Sequence, residues 1–215
     1  ELIRETPSCE GNRLILNAAA AERAVAAGAD PMPYLQRVDE SLAILRRQNV
    51  DIVDIEQAAM LARYAVALQL LREGKDSAPA LGEFADAQRR CYALVKDDPV
   101  CRVLSARAAW VQADWLSNAP KRAKEVLQQA LVDATTAAVN SVKYPEAWQA
   151  LAETNVRLAR LAKPRSKLRS KHIAAAEAAL QRTFSMNPFL AAAKVTQGGL
   201  LVLRAKETRD PQTQQ

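Results

Sequence analysis

Two stretches of the chain nearly repeat one another: GADPMPYL at residues 28–35 and GKDSAPAL at 74–81. Gly28, Asp30, Pro33 and Leu35 return as Gly74, Asp76, Pro79 and Leu81, each 46 residues on, in a chain of 215 residues with only 6 glycines and 10 prolines. Self-similarity at a fixed period of this length marks one supersecondary unit used again and again, and it constrains the fold more than any single motif. The shared residues are turn formers. Glycine supplies the left-handed backbone that ends a helix, and proline is accepted in a first helical turn, where its missing amide hydrogen would be unpaired anyway. What recurs is the corner of a helical hairpin.

Elsewhere apolar residues recur at helical spacing, and breakers cut the pattern into pieces of similar size. Helices are expected over 13–27, 33–48, 52–73, 78–96, 100–117, 120–141, 145–162, 171–186 and 189–207, so that alternate helices start 39 to 48 residues apart. The expected units are hairpins at about 12–50, 51–98, 99–143 and 144–187, a last helix at 188–207, and tails at 1–11 and 208–215. Alanine supplies 43 residues, and aromatics make up only 5% of a chain that is 49% apolar. Alanine is the best helix former and a poor strand former, and it lets helices approach closely. The expected fold is an all-α solenoid, in which each hairpin buries on its neighbours the face it cannot bury alone.

No run of about 18 uncharged apolar residues exists, so no transmembrane helix is expected. The opening ELIRETPSCEGNR has no initiator methionine and no signal-type apolar core, which suggests a processed chain or an excised domain. The three cysteines, Cys9, Cys91 and Cys101, lack metal-site spacing. Cys91 and Cys101 flank the turn KDDPV, and could bridge across it in an oxidising compartment; otherwise all three read as simple thiols. The net charge of +6 is local: residues 151–215 carry 12 basic and 4 acidic side chains, whereas 51–100 carry 6 and 9.

The fourth hairpin carries the most specific pattern. Its first helix reads Trp148-x2-Leu151-Ala152-x2-Asn155, and its second reads Ala176-x3-Leu180-x2-Thr183-x4-Pro188. This resembles the tetratricopeptide repeat (TPR), W-x2-L-G-x2-Y followed by A-x3-F-x2-A-x4-P, with Asn155 and Thr183 departing from it and Ala152 mildly so. The second hairpin follows more weakly with Ala58, Leu61, Ala62 and Ala65, then Ala87, Cys91, Leu94 and Pro99, and Gly198 takes the small-residue position after Pro188. Units of about 45 residues with a G-x-D-P-x-P-x-L turn are similar to the long TPR-like arrays C-terminal to bacterial serine/threonine protein kinases, and RDP at 209–211 resembles the start of another turn. The resemblance implies a right-handed solenoid that acts as a docking or regulatory segment of a larger signalling protein. The kinase would lie outside it, because the chain has no H-R-D-x4-N, no D-F-G and no glycine-rich phosphate loop.

In the TPR register, Glu56, Arg63, Gln149, Glu153 and Arg157 would line the concave groove, a mixed-charge surface suited to a peptide. The lysine and asparagine pairs that grip a C-terminal carboxylate in some TPR domains are not evident. The strongest local anomaly is basic: Arg157, Arg160, Lys163, Arg165, Lys167, Arg169 and Lys171, with no acid between Glu153 and Glu177. KPRSKLRSKH within it reads as a long loop and the start of a helix. Three readings stay open: a solvated loop, a docking site for an acidic or phosphorylated protein segment, and a nucleic-acid or anionic-lipid surface, the last disfavoured because no aromatic is interleaved to stack on bases. Ser166 and Ser170 are candidate phosphorylation sites. His172, the only histidine, is expected in an exposed turn or first turn without catalytic partners. Trp110 and Trp115 are expected to pack between repeats, an exposed one marking a binding hot spot. No cofactor or metal is expected, and the compartment expected is the cytoplasm, or outside it if the segment comes from a membrane-anchored protein.

Overall fold

The computed structural model describes residues 7–208. Nine helices and no strand occur among them: α1 (Pro7–Ala27), α2 (Met32–Arg47), α3 (Val53–Arg72), α4 (Ala78–Leu94), α5 (Pro99–Trp115), α6 (Pro120–Asn140), α7 (Pro145–Leu161), α8 (Lys167–Met186) and α9 (Ala191–Thr208). None is long and apolar enough to cross a membrane. The odd helices begin at residues 7, 53, 99, 145 and 191, so each starts 46 residues after the last. The even helices keep no such spacing, starting at 32, 78, 120 and 167.

The repeated phrase builds the same corner twice. Gly28 and Gly74 hold φ of +74° and +68°. The amides of Gly28 and Ala29 bond back to the carbonyls of Val25 and Ala24, and those of Gly74 and Lys75 to Leu71 and Leu70, which closes both helices with a Schellman motif. Asp30 then accepts from the Met32 amide and Asp76 from the Ala78 amide, each at 2.9 Å, which steers the chain into the next helix.

Two helices begin earlier than the apolar pattern suggests. α1 starts at Pro7 and takes in residues read as tail, because Pro7 suits a first helical position and Glu10 lies in the first turn. Glu10 is 2% exposed and accepts a 2.6 Å bond from the Ser41 hydroxyl of α2. α8 starts at Lys167, not 171, because Ser166 caps it by accepting from the Arg169 amide. The RDP stretch at 209–211 lies outside the described residues.

Each odd helix packs on the next odd helix as well as on its own even partner, while the even helices make no contact with one another. Odd helices therefore form the inner layer and even helices a splayed outer layer. Alanine at period 46 makes the inner layer possible: Ala21, Ala67, Ala113 and Ala159 are each 6% exposed or less. A methyl group at these crossings removes apolar surface from water without holding the axes apart. Between α4 and α5 the sulfurs of Cys91 and Cys101 are bonded, joining the second hairpin to the third.

Candidate functional site

The inner layer frames a groove of about 680 Å³ to which all five odd helices contribute. Its lining follows the 46-residue period in rows that run across the helices: Asp54, Val100, Glu146 and Ala192 in one, and Gln57, Val103 and Gln149 in the next. Ile15, Leu61 and Arg107 make a third row, and Tyr64 and Trp110 a fourth. The floor is apolar and aromatic. Its charged groups are Glu22, Asp54, Glu146 and Arg107, so carboxylates outnumber the one guanidinium.

Several of the polar groups are already engaged. Arg107 pairs with Glu22 and stacks over the Tyr64 ring, 4.6 Å from its centroid. Gln57 donates to Asp98 at 2.9 Å, and Trp110 Nε1 donates to Thr154 Oγ1 at 3.0 Å. Tyr144 stands at the mouth. Burial, with the negative charge of Glu146 beside it, pushes its hydroxyl up to about 12, so it remains a neutral donor and acceptor across the ordinary pH range.

Of the residues expected in the groove, Gln149 lines it. Glu153 and Arg157 do not line it; they belong to a polar ladder beside it that crosses three helices. Gln149 donates to Thr196 Oγ1 at 3.1 Å, Thr196 donates to Glu153 at 3.0 Å, and Arg157 bonds both Glu153 and Asp114 at 2.7 Å while lying 5.3 Å from the Trp110 centroid. Glu56 and Arg63 do not face the groove. Glu56 is 5% exposed and accepts from Arg90 of α4, and Arg63 pairs with Asp39 of α2 and Glu83 of α4, in the cleft between the splayed outer helices. The error is a two-residue slip. The 46-residue period makes Glu56 and Arg63, not Ala58 and Ala65, the counterparts of Trp148 and Asn155, which face α8. The period itself, carried past the two glycine turns, would have revealed Asp54, Gln57 and Leu61 instead.

The basic tract is divided by the fold. Arg157 belongs to the polar ladder with Glu153 and Asp114, and the Arg160 guanidinium crosses Gly199 of α9, where an added Cβ would meet it at 2.7 Å. Arg169, expected on an open surface, is 5% exposed, and its Nε lies 2.6 Å from Glu207 of α9. Lys163, Arg165, Lys167 and Lys171 remain exposed on the α7–α8 loop and the first turns of α8. His172 is half-buried in the second turn of α8. The amide nitrogen of Asn155 is engaged by the Leu151 carbonyl, so its oxygen faces the ring and His172 Nδ1 donates to it at 2.9 Å. Trp110 is 8% exposed and packs between repeats; Trp115 is 41% exposed.

Among the described residues one cluster has metal-ligand chemistry: Asp98 lies within 4.8 Å of the sulfurs of Cys91 and Cys101. Those sulfurs are bonded to each other, and Asp98 already caps the Cys101 amide at 2.8 Å and accepts from Gln57. Neither the thiolates nor a free carboxylate that a metal would require is offered there. Comparisons of the chain with protein-family models, curated proteins and solved structures find no match.

Proposed function

We propose that the chain is a protein-interaction module that holds a peptide segment in the groove of its odd helices. The observation that carries this reading is the groove itself: rows of lining residues drawn from five helices of a rigid inner layer, with an aromatic and aliphatic floor. A concave, mostly apolar surface with a few placed polar groups is what a recognition site requires. The surplus of carboxylates among its charges selects a segment that combines apolar anchors with lysine or arginine.

The TPR resemblance of the fourth hairpin supports the same reading. Trp148, Leu151 and Ala152 pack against Ile173, Ala176 and Leu180 as that resemblance implies. On this reading the chain is a docking or regulatory segment of a larger signalling protein such as a bacterial serine/threonine kinase, and performs no catalysis itself. The Cys91–Cys101 bond favours an oxidising compartment over the cytoplasm.

A displayed random-peptide library selected on the intact chain tests the groove. Enriched sequences should carry aliphatic or aromatic residues with lysine or arginine, and should quench Trp110 fluorescence. They should lose binding to the Asp54→Lys, Glu146→Lys double variant, whose substitutions lie at the mouth and leave the core untouched. Peptides that bind this variant as well as the parent chain would remove the groove from the proposal.

A further inference from the structure

One cation already sits in the groove, and its surroundings show what the walls accept. Arg107 stands over the Tyr64 ring, 4.6 Å from the centroid, and pairs with Glu22, and all three residues line the groove. The same combination of arginine, aromatic ring and carboxylate recurs in the inner layer. Arg102 lies 4.5 Å from the Tyr92 centroid and bonds Asp133 at 2.6 Å, and Arg157 lies 5.3 Å from the Trp110 centroid and bonds Asp114 and Glu153, each at 2.7 Å. A guanidinium suits such a seat because it is flat, weakly hydrated and forked, so that one face lies on the ring while its N–H edge meets the carboxylate.

At the mouth of the groove the same ingredients recur without an arginine of the chain's own. Tyr144 supplies the ring, and Asp54 and Glu146 supply carboxylates from the first turns of α3 and α7. The two acids hold one position of the 46-residue period, with Val100 of α5 at that position between them. Neither pairs with another described side chain. Arg107 and Asp98 also lie within electrostatic reach of Tyr144. Arg107 is held by Glu22, however, and seven residues of α5, about 10 Å of helix, separate it from Val100. The mouth therefore carries uncompensated negative charge beside an aromatic ring and an apolar valine. Among the described residues, Asp54, Asp98 and Glu146 do not gather within 4.8 Å of one another, so they do not close around one metal ion. A flat organic cation can span what a metal ion cannot.

We propose that this mouth is an arginine seat. The segment held in the groove presents one arginine there, its stem along Val100, its guanidinium against Tyr144 and its N–H groups toward Asp54 and Glu146. This selectivity rests on the groove being a peptide site, and it narrows the basic residue to arginine. The ammonium of lysine is a compact, strongly hydrated point charge, which loses more hydration on entering and cannot fork between carboxylates while lying flat on a ring.

Two synthetic libraries of acetylated and amidated nine-residue peptides test the seat when selected on the intact chain. They are random in the same way and differ only in a central arginine or a central lysine. The arginine library should yield binders whose affinity, read by fluorescence anisotropy, falls about tenfold when that arginine is replaced by lysine or by citrulline, its uncharged isostere. These replacements are in the peptide and leave the fold of the protein untouched. On the protein side, Glu146→Gln should weaken the arginine peptide, and Tyr144→Leu should bring its arginine and lysine forms closer in affinity. Glu125→Gln, at an exposed position of α6, should change neither. Equal affinity of the arginine and lysine forms, binders from the lysine library alone, or indifference to both Glu146→Gln and Tyr144→Leu would overturn the arginine seat and leave the groove standing. Failure of both libraries, or binders that hold the Asp54→Lys, Glu146→Lys double variant as tightly as the parent chain, would remove the groove itself and the seat with it.

Discussion

The second and fourth hairpins occupy equivalent places in the array and join their two helices with different chemistry. In the fourth, Trp148 packs among Ala152, Ala176 and Leu180, donates to the Val142 carbonyl at 3.1 Å and lies under Arg182, while Asn155 bonds His172. In the second, the counterparts are Glu56 and Arg63, which pair with Arg90 and Glu83 of α4 and with Asp39 of α2, beside an apolar contact of Ala59 and Met60 with Phe84 and Ala87. The backbone geometry tolerates both because the alanines of the inner layer carry the packing in each. The join between odd and even helices is therefore the variable part of the unit, and the join between successive odd helices is the constant part.

The largest effect should separate these two kinds of junction. Trp148→Ala removes a large apolar side chain from beneath α8 and should cost about 3 kcal/mol in chemical denaturation. Glu56→Ala leaves Arg90 free to rehydrate and should cost on the order of 1 kcal/mol. If the glutamate variant loses as much as the tryptophan variant, ion pairing carries the second junction more strongly than packing carries the fourth.

Next in size is the covalent link between the second and third hairpins, which the fourth lacks. Its cysteines lie ten residues apart, and a loop this short contributes on the order of 2–3 kcal/mol by limiting the unfolded chain. Replacing Cys91 and Cys101 together by serine, or adding a reductant to the parent chain, should lower the unfolding midpoint by similar amounts. A reductant without effect would mean the sulfurs are not joined in solution.

The smallest effect is a pH dependence confined to the fourth hairpin. Burial, with the positive charges of Lys171 and Lys124 nearby, holds His172 below its ordinary value of 6.5. The neutral ring is the form the fold favours. Its contribution is present above about 6.5 and is lost as the pH falls through the lowered folded-state value. Between pH 7 and pH 5 the parent chain should lose more stability than His172→Gln, and equal losses would place the acid sensitivity in other groups.

Much of this architecture is written in local signals. Gly28 and Gly74, Asp30 and Asp76, and the prolines that open α4, α5, α6 and α7 mark corners by steric rules that act within a few residues. The early starts of α1 and α8 were legible too, in Pro7 and in the capping Ser166, once capping is weighed beside apolar spacing. The register of α3 was not. Nearly every turn of that helix is alanine or leucine, so a slip of two residues exchanges one apolar face for another, and hydrophobic spacing alone gives no preference. Glu56 and Arg63 look like groove residues by composition, but the cost of burying their charges is offset by partners on α2 and α4, which no local pattern contains.

The sequence by itself determined the helical class, the corner and the 46-residue period, because propensity, capping and turn chemistry are properties of neighbouring residues. Only the tertiary structure decided which face of each helix meets the next and that Arg169 is spent on Glu207. Those outcomes depend on which groups come together from positions some 40 residues apart in the chain. Burial and charge pairing are settled by that meeting and not by the order of residues along the chain.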